Sequence, residues 1–458
     1  MIRIKNGFLV KQENELEKAT IYIEDGKINS IFPFEHTSTQ VEKEIDAHNA
    51  IIMPGFIDPH VHFDDPGYTQ REDFETGTRS AAAGGITTVI DMPCTSVPPV
   101  TTAENFDNKL NIVSVKAYVD FAFWGGVTPS QVESGEYLTS LRDLHQRGIV
   151  GVKFYTISGM DTYPRMPVPL MDKAFRLLKD LNVVCAVHSE DFYLVDYYTQ
   201  YLRSLGRKDP ASWPEARVYG AEPVAIWTVA SIAEKVGNKL HIVHLSSKAG
   251  LNVIEWAKSR QIDITTETCP HYLLFVSQDY VRLGPILKTA PPVRYEEDRD
   301  ALWEGLKKGI ISFVASDHAA AQYPKEKSSE DFFENYAGIP GTQLMAPILL
   351  NFGFHSSKLT LSKIQELLST NAAKRYGLYP KKGSLAIGSD ADLVFIDPDE
   401  EWTVQAELLE SKGKYSVIDR QKLVGKVKKT FVRGELVFDD SVGVVGKRGY
   451  GRYVKSAL

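Results

Sequence analysis

The sequence predicts an α/β protein, a (β/α)8 TIM-like barrel carrying a small β-sandwich domain built from both termini. Three observations lead there. Both ends of the 458-residue chain run in short stretches of alternating apolar and polar residues, the middle alternates apolar strands with amphipathic helical segments, and the middle holds eight such strands.

At the N-terminal end, IRIKNGFLV and ATIYIEDGKINSIF read as strands, with Glu24, Asp25 and Gly26 turning one antiparallel pair. From about residue 380 the pattern returns in GSDADLVFIDP, WTV and KKTFVRGELVFDD. Neither end has enough apolar residues for a core of its own, so residues 1–54 and 380–458 are expected to share one sandwich into which a barrel domain, residues 55–379, is inserted. The barrel strands are expected at FIDPHVH from Phe56, ITTVIDM from Ile86, AYVDFAF from Ala117, VGVKFYT from Val150, VVCAVHS from Val183, LHIVHLS from Leu240, DITTETC from Asp263 and ISFVASD from Ile311. Between them MDKAFRLLKDL and AIWTVASIAEKVG repeat apolar residues every three or four positions. Such an alternation implies a parallel barrel with its active site at the carboxyl ends of the strands.

Polar residues gather at those ends. His60 and His62 close strand one; spaced two apart on extended chain, they project to one side and can clamp a cation. Lys153 lies on strand four, His188 ends strand five, His244 strand six and Asp317 strand eight. Singly, each has an ordinary reading: a lysine reaching solvent, histidines bonded to backbone, an aspartate capping the next helix. Six on one rim are better satisfied by sharing metal ions, because desolvating a charge costs several kcal/mol. His241, near the start of strand six, is assigned to structure. His271 is kept as a lesser candidate for a supporting or substrate role, and His318 is set aside because on an extended strand it points away from Asp317.

The formal net charge of -7 gives no footprint for nucleic acid or an anionic membrane and favours small-molecule chemistry. Cys94, Cys185 and Cys269 lie far apart with no CxxC, which argues for a reducing compartment. MIRIKNGFLV lacks a leader's apolar core, and no apolar run approaches the roughly 20 residues of a membrane span. A cytoplasmic location is expected.

HVHFDDPG, ETGTRSAAAGGITTVIDMP, GVKFYT, AVHSED, HIVHLSS, ETCPHYL, APPVR, ASDHA and GSDADLVFID occur in the order found in the cyclic amidohydrolases of the amidohydrolase superfamily, and the resemblance runs along essentially the whole chain. It implies two divalent ions, zinc first with manganese, cobalt or iron as alternatives. His60, His62 and Asp317 would hold one, His188 and His244 the other, and an N6-carboxylated Lys153 would bridge them, since a carbamate is an anionic ligand where an ammonium repels cations. The implied reaction is hydrolysis of a cyclic amide by metal-activated water, with Asp317 passing the proton to the ring nitrogen. The resemblance also implies a homo-oligomer, commonly a tetramer. FYLVDYYTQYL from Phe192 and the tail RGYGRYVKSAL are candidates for subunit contacts, with packing inside the protomer as the alternative. Non-catalytic scaffolds of this fold have lost metal ligands, whereas all six positions are filled here.

For the substrate, dihydroorotases usually carry an arginine two residues after the second histidine and an asparagine after Met-Pro; Asp64 and Cys94 stand there instead, and an acid should repel a carboxylate-bearing ring. Arg71 or Arg165 are the alternatives for that missing cation. HVHFDDPG, FETGTRSAAAGG, MPCTSVPPVTT, VDFAFWGG and GKYSVID resemble allantoinases and L-selective hydantoinases, which ranks allantoin first, other hydantoins next and six-membered dihydropyrimidines after them. Substrate contacts are expected from Tyr155, Asp64, Cys94, Lys288, Ala290 and Gly338, in loops 288–294 and 338–343 for the last three; a packed aromatic at Tyr155 and simple turns at Gly338 and Gly341 are the alternatives.

Overall fold

The computed structural model describes every residue except 38 and 39. The chain opens with β1 (Ile2–Val10), β2 (Leu16–Glu24), β3 (Lys27–Phe32), β4 (Lys43–Asp46) and β5 (Ile51–Pro54). The barrel follows as β6 (Phe56–His62), β7 (Ile86–Asp91), β8 (Asp120–Phe123), β9 (Gly125–Gly126), β10 (Gly151–Tyr155), β11 (Val184–His188), β12 (Leu240–Ile242), β13 (Ile264–Thr268), β14 (Phe313–Val314) and β15 (His318–Ala319). β16 (Leu393–Thr403), β17 (Lys422–Val432), β18 (Glu435–Asp439) and β19 (Gly443–Val444) complete it.

β1 to β5 and β16 to β19 form one sheet in the order β19-β18-β17-β16-β5-β1-β2-β3, with β4 on β1. Its two halves, from opposite ends of the sequence, meet where Leu393 of β16 pairs antiparallel with Pro54 of β5. Ile4, Ile21, Ile23, Ile52, Leu393 and Phe431 share one buried cluster, so each terminus supplies apolar surface the other lacks.

The barrel is parallel and lies in two arcs, β15-β6-β7-β8 and β9 through β14. Trp124 alone separates β8 from β9, and residues 315–317 separate β14 from β15, so both seams are closed by the chain itself. β15 pairs parallel with β6, His318 opposite Val61 and Ala319 opposite His62. The strands are shorter than the sequence suggests: strand three begins at Asp120, strand six ends at Ile242, and strand eight is a pair of residues before a break. Backbone explains the last two. His244 and Asp317 have positive φ, 40° and 47°, and so turn out of the extended conformation.

The C-terminal tail packs on its own barrel. Gly451 donates to Ala117 O (2.9 Å), Val454 to Phe121 O (2.8 Å), and the Tyr453 ring lies among Phe106, Phe121 and Phe123. By contrast, Tyr193, Tyr197 and Tyr201 on the helix Phe192–Ser204 are exposed on one face. Among the described residues no helix is long and apolar enough to cross a membrane.

Sheet and barrel are joined by a buried charge cluster. The Lys382 ammonium pairs with Asp120 at the start of β8, with Asp390 (3.0 Å) and with Asp392 (2.8 Å) just before β16, while Arg433 of the sheet also pairs with Asp120. Replacing Lys382 by Met should leave three carboxylates short of their shared cation and lower stability by about 3–5 kcal/mol. Urea unfolding should show this as a lower midpoint at unchanged slope; a loss below about 1 kcal/mol would mean that the cluster does not bind the two parts together.

Candidate active site

β6 delivers two histidines to one side, as its alternation requires. His60 Nε2 lies 3.2 Å from His62 Nε2, and Asp317 Oδ1 lies 3.2 Å and 3.3 Å from those same nitrogens. These atoms form a group able to hold a metal ion. Opposite them His188, at the end of β11, puts Nδ1 2.9 Å from His244 Nε2. The ring of His244 stands 5.5 Å from that of His60. Lys153 of β10 reaches the same place, fully buried, and its Nζ has no hydrogen-bond partner.

Hydrogen bonds at the far sides of two rings decide what faces inward. His60 Nδ1 meets Glu267 Oε1 at 2.5 Å, and His188 Nε2 meets Glu190 Oε2 at 3.0 Å. With those N–H groups turned to the two glutamates, of which burial pushes Glu267 well above the ordinary carboxylate range, His60 Nε2 and His188 Nδ1 keep their lone pairs toward the cluster. Burial, together with Lys153 and neighbouring rings, pushes His60 and His244 well below the ordinary imidazole range, which keeps them neutral. His62 goes the other way: burial is outweighed by Cys94 and Asp317, and it is pushed up to about 10. Burial pulls Lys153 down to about 8. Imidazole nitrogens and the Asp317 carboxylate thus converge around a lysine amine that bonds to none of them, a donor set suited to cations.

Neighbouring groups hold this arrangement. Asp58 accepts from Ser316 N (3.0 Å), the Ser316 hydroxyl (2.5 Å) and the Thr342 hydroxyl (2.7 Å), pinning the turn that carries Asp317. Asp91 accepts from Phe63 N at 2.8 Å and pairs with buried Lys109, fixing the backbone as it leaves His62.

Five of the six, His60, His62, His188, His244 and Asp317, line a cavity of about 420 Å³, while Lys153 is wholly buried and does not reach its surface. Tyr155, Lys288, Ala290 and Gly338 also line it. The Tyr155 hydroxyl is 3.1 Å from Cys94 Sγ, its ring stacks on His188 at 5.3 Å, and burial raises it well above the ordinary phenol range, so it stays a donor. Lys288 donates to Phe333 O (2.8 Å) and Asn335 O (2.5 Å). Gly338 donates to Lys288 O (2.9 Å) and accepts from the Tyr415 hydroxyl (3.1 Å); a side chain there would strike Ala319 O, which is why the position is glycine.

Asp64 and Cys94 are buried and are not among the lining residues. Both Asp64 oxygens lack partners, and burial pushes the carboxyl up to about 8. Burial thus favours its neutral form at neutral pH. Arg71 is held by both oxygens of Glu326 and stacks on Tyr68 and Tyr336, and Arg165 stacks on Phe192 at 4.0 Å; neither lines the cavity.

Sequence reasoning passed over Glu267, Glu190 and Asp58. Glu267 joins His60 to His241, whose Nε2 lies 3.2 Å from Glu267 Oε2, so His241 is structural but linked to the cluster. His271 is buried beside Tyr272, pushed down to about 4 by burial, and lines a separate small pocket with Ile339 and Val417 rather than this cavity. His318 does point away from Asp317, to Glu72 at 3.0 Å, although the reason is the positive φ at Asp317 rather than extended chain.

The pattern of the amidohydrolase family matches residues 51–437. An allantoinase of Rubrobacter xylanophilus is 36% identical over 453 residues, covering 99% of this chain and 97% of that protein. An L-hydantoinase of Paenarthrobacter aurescens is 32% identical over 457 residues, 98% of this chain and 97% of that one. Among solved structures, an L-hydantoinase (dihydropyrimidinase) from Arthrobacter aurescens superposes with a TM-score of 0.94 at 31% identity, covering 99% of each chain. The chain belongs to the amidohydrolase family and, within it, to the cyclic amidohydrolases.

Proposed function

We propose that this chain hydrolyses a ring amide C–N bond of five-membered cyclic ureides, allantoin before other 5-substituted hydantoins. The observation that carries the reading is the convergence of His60, His62, Lys153, His188, His244 and Asp317 at the floor of one cavity, in a chain 36% identical to an allantoinase over nearly its full length. Six-membered dihydropyrimidines are the second reading, favoured by the dihydropyrimidinase description of the L-hydantoinase structure.

His60, His62 and Asp317 are the ligands we assign to one divalent ion, His188 and His244 to a second, and a carboxylated Lys153 to both, zinc ahead of manganese, cobalt or iron. Two such ions would lower the proton affinity of water and polarise an amide carbonyl. Lys153 suits carboxylation: its unpartnered amine is shifted by burial toward the neutral form that combines with carbon dioxide. Asp317 takes the proton of the attacking water and returns it to the departing ring nitrogen, a role open to a carboxylate that reaches both histidines of β6. Tyr155, kept protonated, donates to the oxygen on which charge develops. The cavity releases an open-chain carboxylate. We place the enzyme in the cytoplasm as a homo-oligomer, a reading supported by three free buried cysteines and by the exposed Tyr193, Tyr197 and Tyr201 face.

Metal analysis should find divalent ions in the purified protein, and stripping them should abolish turnover. Lys153→Ala should lose metal and reduce activity by about a thousandfold or more. In protein equilibrated with ¹³C-labelled carbon dioxide, a carbamate carbon should be visible by NMR and absent from the variant; undiminished hydrolysis after complete stripping would sink the mechanism.

Glu267→Gln should weaken metal affinity about 10- to 100-fold in competition with a chelator, because the carboxylate that orients His60 is gone. Unchanged affinity would show that Glu267 serves the fold alone.

For the substrate, rates on allantoin, L- and D-5-substituted hydantoins, dihydrouracil and dihydroorotate should be measured side by side. Allantoin should have the highest kcat/KM, and a clear preference for dihydroorotate would overturn the assignment.

A further inference from the structure

One side chain in the cavity wall is held in place and underused. Arg217 lines the cavity beside Trp213 and Lys288. Its guanidinium lies over the Trp213 ring at 4.4 Å, and that indole is itself fixed by donating to Thr289 O at 2.8 Å. Nη1 donates to Glu190, and the Arg217 carbonyl accepts from Arg294. Plane, position and backbone are thus all constrained. Yet of five N–H donors only one is used among the described residues, and buried Nε has no partner.

Neighbouring polar groups differ in this respect. The Lys288 amine puts two N–H groups on backbone carbonyls and lies over the Trp213 ring at 4.1 Å, the Asn335 amide donates to Ser329 O and Asp331 O, the Thr289 hydroxyl to Pro291 O and the Ser158 hydroxyl to Tyr163 O. A cation with spare donors, fixed in the wall of a cavity, is a place for an acceptor oxygen of a ligand. It is not at the reacting centre: the path from the cluster runs from His188 through Glu190 to Arg217, two hydrogen bonds outward. Glu190 thus stands between Arg217 and the ligand histidine, which assigns Arg217 to the outer part of a ligand rather than to the bond that is broken.

We propose that Arg217 is a specificity-determining residue that hydrogen-bonds a carbonyl oxygen on the substituent of the ring, such as the ureido group of allantoin, and so favours such rings over those bearing alkyl groups. This rests on the reading of the chain as a cyclic ureide hydrolase. Its second contact, to Glu190, means that a variant can also disturb His188, so the test compares two substrates on one protein.

Arg217→Lys, which keeps a cation opposite Glu190, and Arg217→Met are compared with the unaltered enzyme on allantoin and on 5-methylhydantoin, with metal content measured in each. The expected result for the Lys variant is a fall of about 10- to 100-fold in kcat/KM for allantoin, and under about threefold for 5-methylhydantoin, at unchanged metal content. The Met variant should lose at least as much on allantoin, and the ratio of the two substrates should still shift even if its metal content falls. Equal losses on both substrates in both variants would overturn the proposal and leave Arg217 as a support for Glu190. If the unaltered enzyme opens no ureide ring, the functional reading fails and this inference with it; if it opens allantoin and the ratio does not move, only this inference fails.

Discussion

The site depends on the closure of the barrel between its last and first strands. Parallel pairing of β15 with β6 sets Ala319 opposite His62 and His318 opposite Val61, and Asp317, one residue earlier, is thereby carried to the two imidazoles that β6 projects. Hydrogen bonds from Ser316 and Thr342 to Asp58 tie the same seam from beneath. Asp317 and His244 meet the cluster only by taking positive φ, strain on the order of 1–3 kcal/mol at each such residue. Only a surrounding structure that allows no other path sustains it. The closed parallel barrel supplies that surrounding structure: the turn at Asp317 leads into β15, paired with β6, and the turn at His244 leaves β12, paired with β11 and β13.

Charge is the second constraint, and it is handled in layers. Next to the cavity floor stand four imidazoles, of which burial keeps His60 and His244 neutral, a carboxylate and a lysine without a partner. Behind them stand Glu267 and Glu190, each taking an N–H from one ring. Behind Glu190 stand Arg217 and Arg294, whose positive charge outweighs the burial that would protonate it and holds its carboxyl down at about 2. A carboxylate on the far nitrogen of an imidazole raises the basicity of the near one and stops the ring from turning over. The two histidines use opposite nitrogens, His60 presenting Nε2 and His188 Nδ1, because their carboxylates lie on different sides.

Much of this was legible in the sequence, for identifiable reasons. Period-two alternation put His60 and His62 on one side, and a lysine inside the apolar run GVKFY marked Lys153. The same rule applied to DITTETC would have marked Glu267, a carboxylate within a buried strand, and AVHSED carried Glu190 two residues after His188. Strand ends were less legible. Asp and His do tolerate a left-handed backbone, but no glycine or proline stands at His244 or Asp317 to interrupt the apolar runs before them, so strands six and eight read longer than they are. Asp64 illustrates a different limit. Its type is written in the sequence, but whether it is charged depends on the balance between burial, which raises it, and the nearby charges of His62 and Arg71, which lower it, and that balance is set only by the fold.

The terminal sheet belongs to the same argument. β5 runs into β6 with Gly55 alone between them. Gly55 donates to Asp392 O at 2.8 Å and accepts from the Ser369 hydroxyl at 2.7 Å, and a side chain at that position would run into Thr87 on β7. Asp392 is also a member of the Lys382 cluster. The residue that fixes the start of the first barrel strand is thus held by the sheet, and five residues later that strand delivers His60. On a strand, a slip of one residue would turn His60 and His62 to the opposite face. A sheet gathered from both ends of the chain is therefore part of how the register of the strand bearing His60 and His62 is set, which gives a physical reason for the two termini to meet beside it.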